Sequence, residues 1–220
     1  MGRPARENRR LVNSRGESRG QMFGAGALTF QEFAMRETLP LSKIQEAILE
    51  FLQGRTDVVL FCAQAVNAYV SEPRMTQDVD LLSTRADELA EELKEFLSDK
   101  FHIAVKVRAV ADGKGFRVYQ IRSEGNRHLV DLRMISEFPA TEKVQDILVL
   151  SPVELLASKA ISYHSRKGKP KAGTDYRDLG MLLLRFPDIE GKSFGDFASK
   201  KCRRSGFGNL GGDCASGFSV

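Results

Sequence analysis

The segment Asp78-Val79-Asp80-Leu81-Leu82 fits few places in any fold. Successive side chains of a strand point to opposite faces, so Asp78 and Asp80 share one face and Val79 and Leu81 the other. Such a strand is expected inside a sheet, with its apolar face on a core and its acidic face open. Two carboxylates held side by side repel unless a proton or a cation lies between them. The cation expected is Mg²⁺, or Mn²⁺, which take hard oxygen ligands and share them with substrate phosphates. Read alone, Asp78 is equally a strand-entry residue, and the pair equally a solvated edge strand. The apolar Val79, Leu81 and Leu82 weigh against an edge.

A third carboxylate stands in His128-Leu129-Val130-Asp131-Leu132. Aspartate is disfavoured in strand interiors, so Asp131 needs a reason. One is a salt bridge to Arg133 or to a neighbouring strand. The other is convergence with Asp78 and Asp80 on a metal site, which all three together favour: Asp78, Asp80 and Asp131 are expected to be both metal ligands and catalytic residues.

The remaining pattern supplies the frame. Ser42 is expected to cap a helix with Ile44, Ala47, Ile48, Phe51 and Leu52 on one face and Gly54 at its end. A buried strand over 58–61 and a short helix over 62–70 follow, and Glu72-Pro73 breaks the chain before the aspartate strand. Residues 84–97 read as an amphipathic helix. Residues 102–110, 116–122 and 128–134 read as strands, the first two joined through Asp112-Gly113. A short strand is expected over 147–150. Ser151, Pro152 and Glu154 form a capping signature for a helix to about Ser165, with a basic loop over 167–173 and a last helix from Asp175 to Phe186. The fold expected is α/β (α+β): a mixed β-sheet with helices mainly on one face and a C-terminal helical segment.

These blocks resemble the minimal nucleotidyltransferase fold, closest in pattern to the AbiEii/AbiGii-type toxin nucleotidyltransferases. The resemblance rests on Phe61-Cys62-Ala63-Gln64, on Arg74-Met75-Thr76-Gln77-Asp78-Val79-Asp80, on Lys159 with Arg166, and on Asp175-Tyr176-Arg177-Asp178-Leu179. It covers about residues 40–186. It implies transfer of a nucleotide from an NTP such as ATP to a hydroxyl acceptor on RNA, protein or a small molecule, with an antitoxin as partner. It also implies nucleotide contacts from Ala63, Gln64, Arg74, Lys159 and Asp175. The family begins the short helix with Gly-Gly or Gly-Ser, where backbone amides approach the triphosphate; here Cys62-Ala63 replaces that pair, and Gln64 stands in for the usual hydroxyl. Two readings follow, an active enzyme and a catalytically weakened nucleotide- or nucleic-acid-binding module of the same fold.

Each residue also has a plainer reading. Lys159 is otherwise a surface lysine, Arg74 a loop arginine, and Asp175 and Asp178 the residues that cap and begin the last helix. Arg166 to Lys171 carries four positive charges in six residues, suited to RNA phosphates or simply to water. The domain is expected over 28–190, with its sheet core at about 40–150 and C-terminal helices over 151–186. A basic tail (1–27, with six arginines among the first twenty residues) and a Gly-rich tail (191–220) are expected to be disordered. No apolar run of eighteen residues and no export-like segment is present, so cytoplasmic location without a membrane partner is expected. No Ser-His-Asp constellation, cysteine–histidine metal spacing or P-loop ending is found.

Overall fold

The computed structural model describes residues 39–189; the predicted tails 1–27 and 191–220 lie outside them. In chain order the elements are α1 (Leu41–Leu52), β1 (Val58–Phe61), α2 (Cys62–Tyr69), β2 (Val79–Ser83), α3 (Ala86–Phe101), β3 (Val105–Val110), β4 (Gly115–Gln120), β5 (Arg127–Met134), β6 (Thr141–Val144), β7 (Ile147–Leu150), α4 (Pro152–Ser165) and α5 (Pro170–Arg185). The seven strands form one mixed sheet in the order β3-β4-β5-β2-β1-β7-β6. β2 lies in the middle, antiparallel to β1 and parallel to β5. It is no edge strand, as its apolar flanks required.

One sheet face carries Val79, Leu81, Val118, Val130 and Leu132, all fully buried. Residues Ile44, Ile48 and Leu52 of α1 and Leu89, Leu93 and Leu97 of α3 join them in one apolar cluster, spaced four apart as an inward helix face requires. α2 packs on β1, β2 and β7, and α4 and α5 pack on α2 and on each other. The C-terminal helices are thus anchored through α2, the element that follows the first strand. This is the mixed architecture the sequence predicts.

Four local expectations need correction. Ser42 lies inside α1 and does not cap it; Pro40 flanks that helix without a side-chain cap. Residues 102–104 are not strand, because α3 continues to Phe101 and closes on His102 with φ 53°. The loop expected over 167–173 is shorter, since α5 starts with Pro170 at its first position. Asp175 and Asp178 therefore lie one and two turns inside α5, neither capping nor beginning it. The edge strand β6 was not anticipated: it pairs with β7 through a turn in which Gln145 and Asp146 both take positive φ without glycine. The expected cap of α4 is present, with Glu154 N donating to Ser151 Oγ at 3.4 Å.

Candidate active site

Strand register builds the acidic cluster. Asp80 of β2 pairs in register with Asp131 of β5, which sets their Cα atoms about 4.8 Å apart. Asp78 stands two residues before Asp80, at the mouth of β2. Burial confirms the facing, since Val79 and Leu81 are sealed while Asp80 is partly open. The sequence-predicted triad is thus brought to one face at one end of two adjacent strands.

The cluster is electrostatically crowded. Burial, then the neighbouring charges of Asp78 and Asp131, push the Asp80 carboxyl up to about 6, against the pull of Arg133. Asp78 moves the other way: a hydrogen bond and charge from His128 hold it below the usual carboxylate range, with a contribution from Lys171. His128 Nδ1 lies 3.2 Å from Asp78 Oδ2, and that partner raises the imidazole against the effect of burial. Asp131 takes Arg117 Nε at 3.7 Å, so its cross-strand partner is on β4 and not Arg133. As they stand, no three acidic, histidine or cysteine side chains among the described residues enclose a cation position; Asp78 lies against His128 and Asp131 against Arg117. The donor set is nonetheless the hard-oxygen set a divalent cation takes, and Asp80 carries the penalty such a charge relieves.

A bulge aims His128. Between Val118 and Tyr119 the β4–β5 register slips, so that Val118 faces Val130 but Tyr119 faces His128. Leu129 and Val130 are both fully buried, and His128 is delivered to the carboxylate face. Simple alternation from Asp131 would have put it on the other side.

The turn before α2 closes the other flank. Phe61 pairs with Asp80, so Cys62 begins its helix beside the cluster. Cys62 has φ 62°, the left-handed conformation for which glycine is usual. Its thiol is pushed up to about 12, mainly by burial and then by Asp80, and is not a thiolate. No side chain caps α2, leaving the first-turn amides, those of Ala63 and Gln64 among them, without a capping acceptor at the positive end of the helix. Gln64 is itself buried, with its Oε1 accepting from Asn67 Nδ2 at 2.8 Å.

Beneath this lies a buried charge network. Asp178 is fully buried and accepts from Arg74 Nε at 2.8 Å, Arg74 Nη2 at 2.9 Å and Lys159 Nζ at 2.7 Å. Burial opposes its charge, but these partners outweigh it and hold the carboxyl below its ordinary value. Asp175, also buried, takes Arg166 Nη1 at 2.9 Å and Lys159 Nζ at 3.5 Å. Lys159 is therefore no surface lysine and Arg74 no free loop arginine; Arg74 pairs with α5 and not with the acidic cluster. Sequence reasoning did not give Asp178 its central place. It also missed Asn67, which clasps the backbone of Arg74 at 2.7 and 3.0 Å, and Gln45, which donates to the Thr76 carbonyl at 3.0 Å. Both hold the loop into β2, and an isolated polar residue at a buried helical position was the available signal for each.

Residues 65–210 match the family model described as nucleotidyl transferase AbiEii toxin, type IV TA system. Among solved structures, a putative nucleotidyltransferase from H. pylori superposes with a TM-score of 0.55 at 14% identity, covering 80% of each chain. JHP933 from Helicobacter pylori gives 0.53 at 13% identity, over 81% of this chain and 78% of that one. The Megavirus polyadenylate synthase gives 0.53 at 11% identity over 67% of this chain, which spans only 32% of that one. At such identities the likeness is one of fold. No curated protein matches the chain in sequence.

Proposed function

The chain belongs to the AbiEii family of nucleotidyltransferase toxins, and from that premise we propose that it transfers a nucleotide from an NTP to a hydroxyl acceptor, releasing pyrophosphate, with Asp78, Asp80 and Asp131 holding Mg²⁺ or Mn²⁺. The observation that carries this reading is the in-register pairing of Asp80 with Asp131, with Asp78 on the same side and the uncapped start of α2 beside them. When bound, the divalent cation supplies positive charge to the triphosphate and makes the acceptor hydroxyl more acidic. The protein's own groups do the rest. Amides of Ala63 and Gln64 at the start of α2 bind phosphate oxygens. Asp131, open to the sheet face, takes the proton of the acceptor hydroxyl. Lys159 adds positive potential under the turn, where its charge is felt at Cys62. Arg74, Asp175 and Asp178 keep Lys159 in place. An antitoxin partner and a cytoplasmic setting belong to the same proposal.

The active reading is favoured over a weakened binding module by Cys62. Its φ of 62° reproduces the backbone conformation that glycine makes easy. A turn of that conformation is the one that suits approach of backbone amides to a phosphate.

The test is incubation of the purified chain with radiolabelled NTPs, Mg²⁺ and total RNA, beside an Asp78→Asn/Asp80→Asn double variant. Labelled acceptor is expected with the parent and at least a hundredfold less with the variant. Equal labelling by both refutes the catalytic role of the pair.

A further inference from the structure

One cation beside the carboxylates is not taken by them. Asp78 lies against His128, Asp131 against Arg117, and Asp178 against Arg74 and Lys159. Arg133 of β5 is exposed and makes no ion pair with another described residue. Its guanidinium lies instead over an aromatic ring, with Cζ 4.9 Å from the centre of Phe61.

That contact fixes the course of the side chain. Arg133 pairs in register with Leu82 of β2, whereas Phe61 closes β1 and pairs with Asp80. Arg133 therefore starts on β5, crosses β2 diagonally and ends over the last residue of β1. Its charge is felt both at Asp80 and at Cys62. A guanidinium held over a ring is restrained, yet its N–H groups stay free to donate. Their fork matches two oxygens of one phosphate.

The strand order says which phosphate. Asp131 on β5, Asp80 on β2, and Phe61 on β1 follow one another across the sheet, and α2 starts from Phe61. In the proposed transfer the acceptor oxygen bonds to the α-phosphorus, and its proton passes to Asp131. The bond from the α-phosphorus to the oxygen shared with the β-phosphorus breaks. That oxygen leaves with the electron pair, as part of pyrophosphate. Attack and departure lie roughly in line. An acceptor that loses its proton on the β5 side thus sends pyrophosphate toward the β1 side. There lie the guanidinium of Arg133 and the uncapped first turn of α2.

We infer that Arg133 contacts the substrate, taking the pyrophosphate end of the NTP together with the amides that begin α2. The inference rests on the nucleotidyl-transfer reading and adds a residue to the same site. Arg133 lies outside every block that carries the family resemblance, and no described carboxylate claims its charge.

Isothermal titration calorimetry in Mg²⁺, without acceptor, reads the contact. ATP, pyrophosphate and AMP are titrated into the full chain, R133Q and R133K. R133Q should bind ATP and pyrophosphate on the order of tenfold more weakly, and AMP at the parental level. R133K keeps the charge but loses the fork, so a smaller loss for the same two ligands is expected. A circular dichroism melt checks that both variants fold, and R133K carries the test should R133Q fail to. Parental affinity for ATP and pyrophosphate in the folded variants overturns the inference, leaving nucleotidyl transfer to be judged by the labelling experiment. An equal loss for AMP also overturns it, because the guanidinium would then not single out the pyrophosphate end. A parent chain that binds neither ATP nor pyrophosphate overturns the inference and the nucleotidyl-transfer reading together.

Discussion

Asp80 bears the conflict of the site, and its consequences can be measured. An ordinary carboxyl titrates near 3.8, whereas this one is pushed up to about 6 by burial and by Asp78 and Asp131. The sign follows from linkage: a group raised in the folded state contributes stability below its unfolded value that is lost as pH rises through the folded one. The metal-free chain should therefore lose stability between about pH 4 and pH 6 on this account. Asp80→Asn, which removes the charge but keeps the shape, should melt higher than the parent at pH 7.5, by something on the order of 2 kcal/mol, and equally at pH 4. Mg²⁺ should raise the melting temperature of the parent at pH 7.5 and leave Asp80→Asn nearly unmoved. Thermal melts at the two pH values, with and without Mg²⁺, check both halves. A variant no more stable than the parent at pH 7.5 would show that the crowding at Asp80 is not real. His128 acts in the same direction at higher pH, because its raised imidazole gives up the pairing with Asp78 as it deprotonates.

Helices α4 and α5 show where an element's sequence informs and where it misleads. The start of α4 was legible because Ser151 and Pro152 are local signals, and a cap needs only its own turn. The start of α5 was misplaced at Asp175 because an aspartate before an apolar run looks like a cap. Its side chain faces inward instead, to Lys159 and Arg166, and Asp178 pairs with Arg74 across 104 residues of chain. No window of sequence displays such a partner. β6 was missed for a related reason: Glu142 and Lys143 hide the strand pattern, and its turn lacks glycine. The network fixes what α5 contributes. Asp178→Ala would leave two cations facing one another in a buried place, so a loss of about 3–5 kcal/mol is expected in urea denaturation. Combining Asp178→Leu with Lys159→Met removes charge from both sides and should recover part of that loss. Destabilisation under about 1 kcal/mol for Asp178→Ala would mean that the helices are held by apolar contacts alone.

Across the whole molecule, stability and function share one centre. The alternation in each strand could be read from sequence, but the order β3-β4-β5-β2-β1-β7-β6 could not, since β2 meets β5 across the whole of α3 and a hairpin. Asp131 could be suspected as the third carboxylate because an aspartate inside an apolar strand is costly. The bulge that brings His128 to the same face left no mark in the pattern. What the topology adds is position: β2, which carries Asp80 and follows Asp78, is the fourth of seven strands, paired on both sides and covered by the apolar cluster. A site that must hold like charges at fixed spacing is best placed where the backbone opens least. Leu81→Ala, next to Asp80 and fully buried, should therefore cost about 2–5 kcal/mol. Val144→Ala, on the edge strand β6, should cost less than about 1 kcal/mol. Amide hydrogen exchange should rank the strands the same way, with β2 opening only by global unfolding and β3 and β6 exchanging sooner. If β2 exchanges as early as the edges, the carboxylates do not rest on a rigid base, and their spacing must instead be imposed by whatever binds between them.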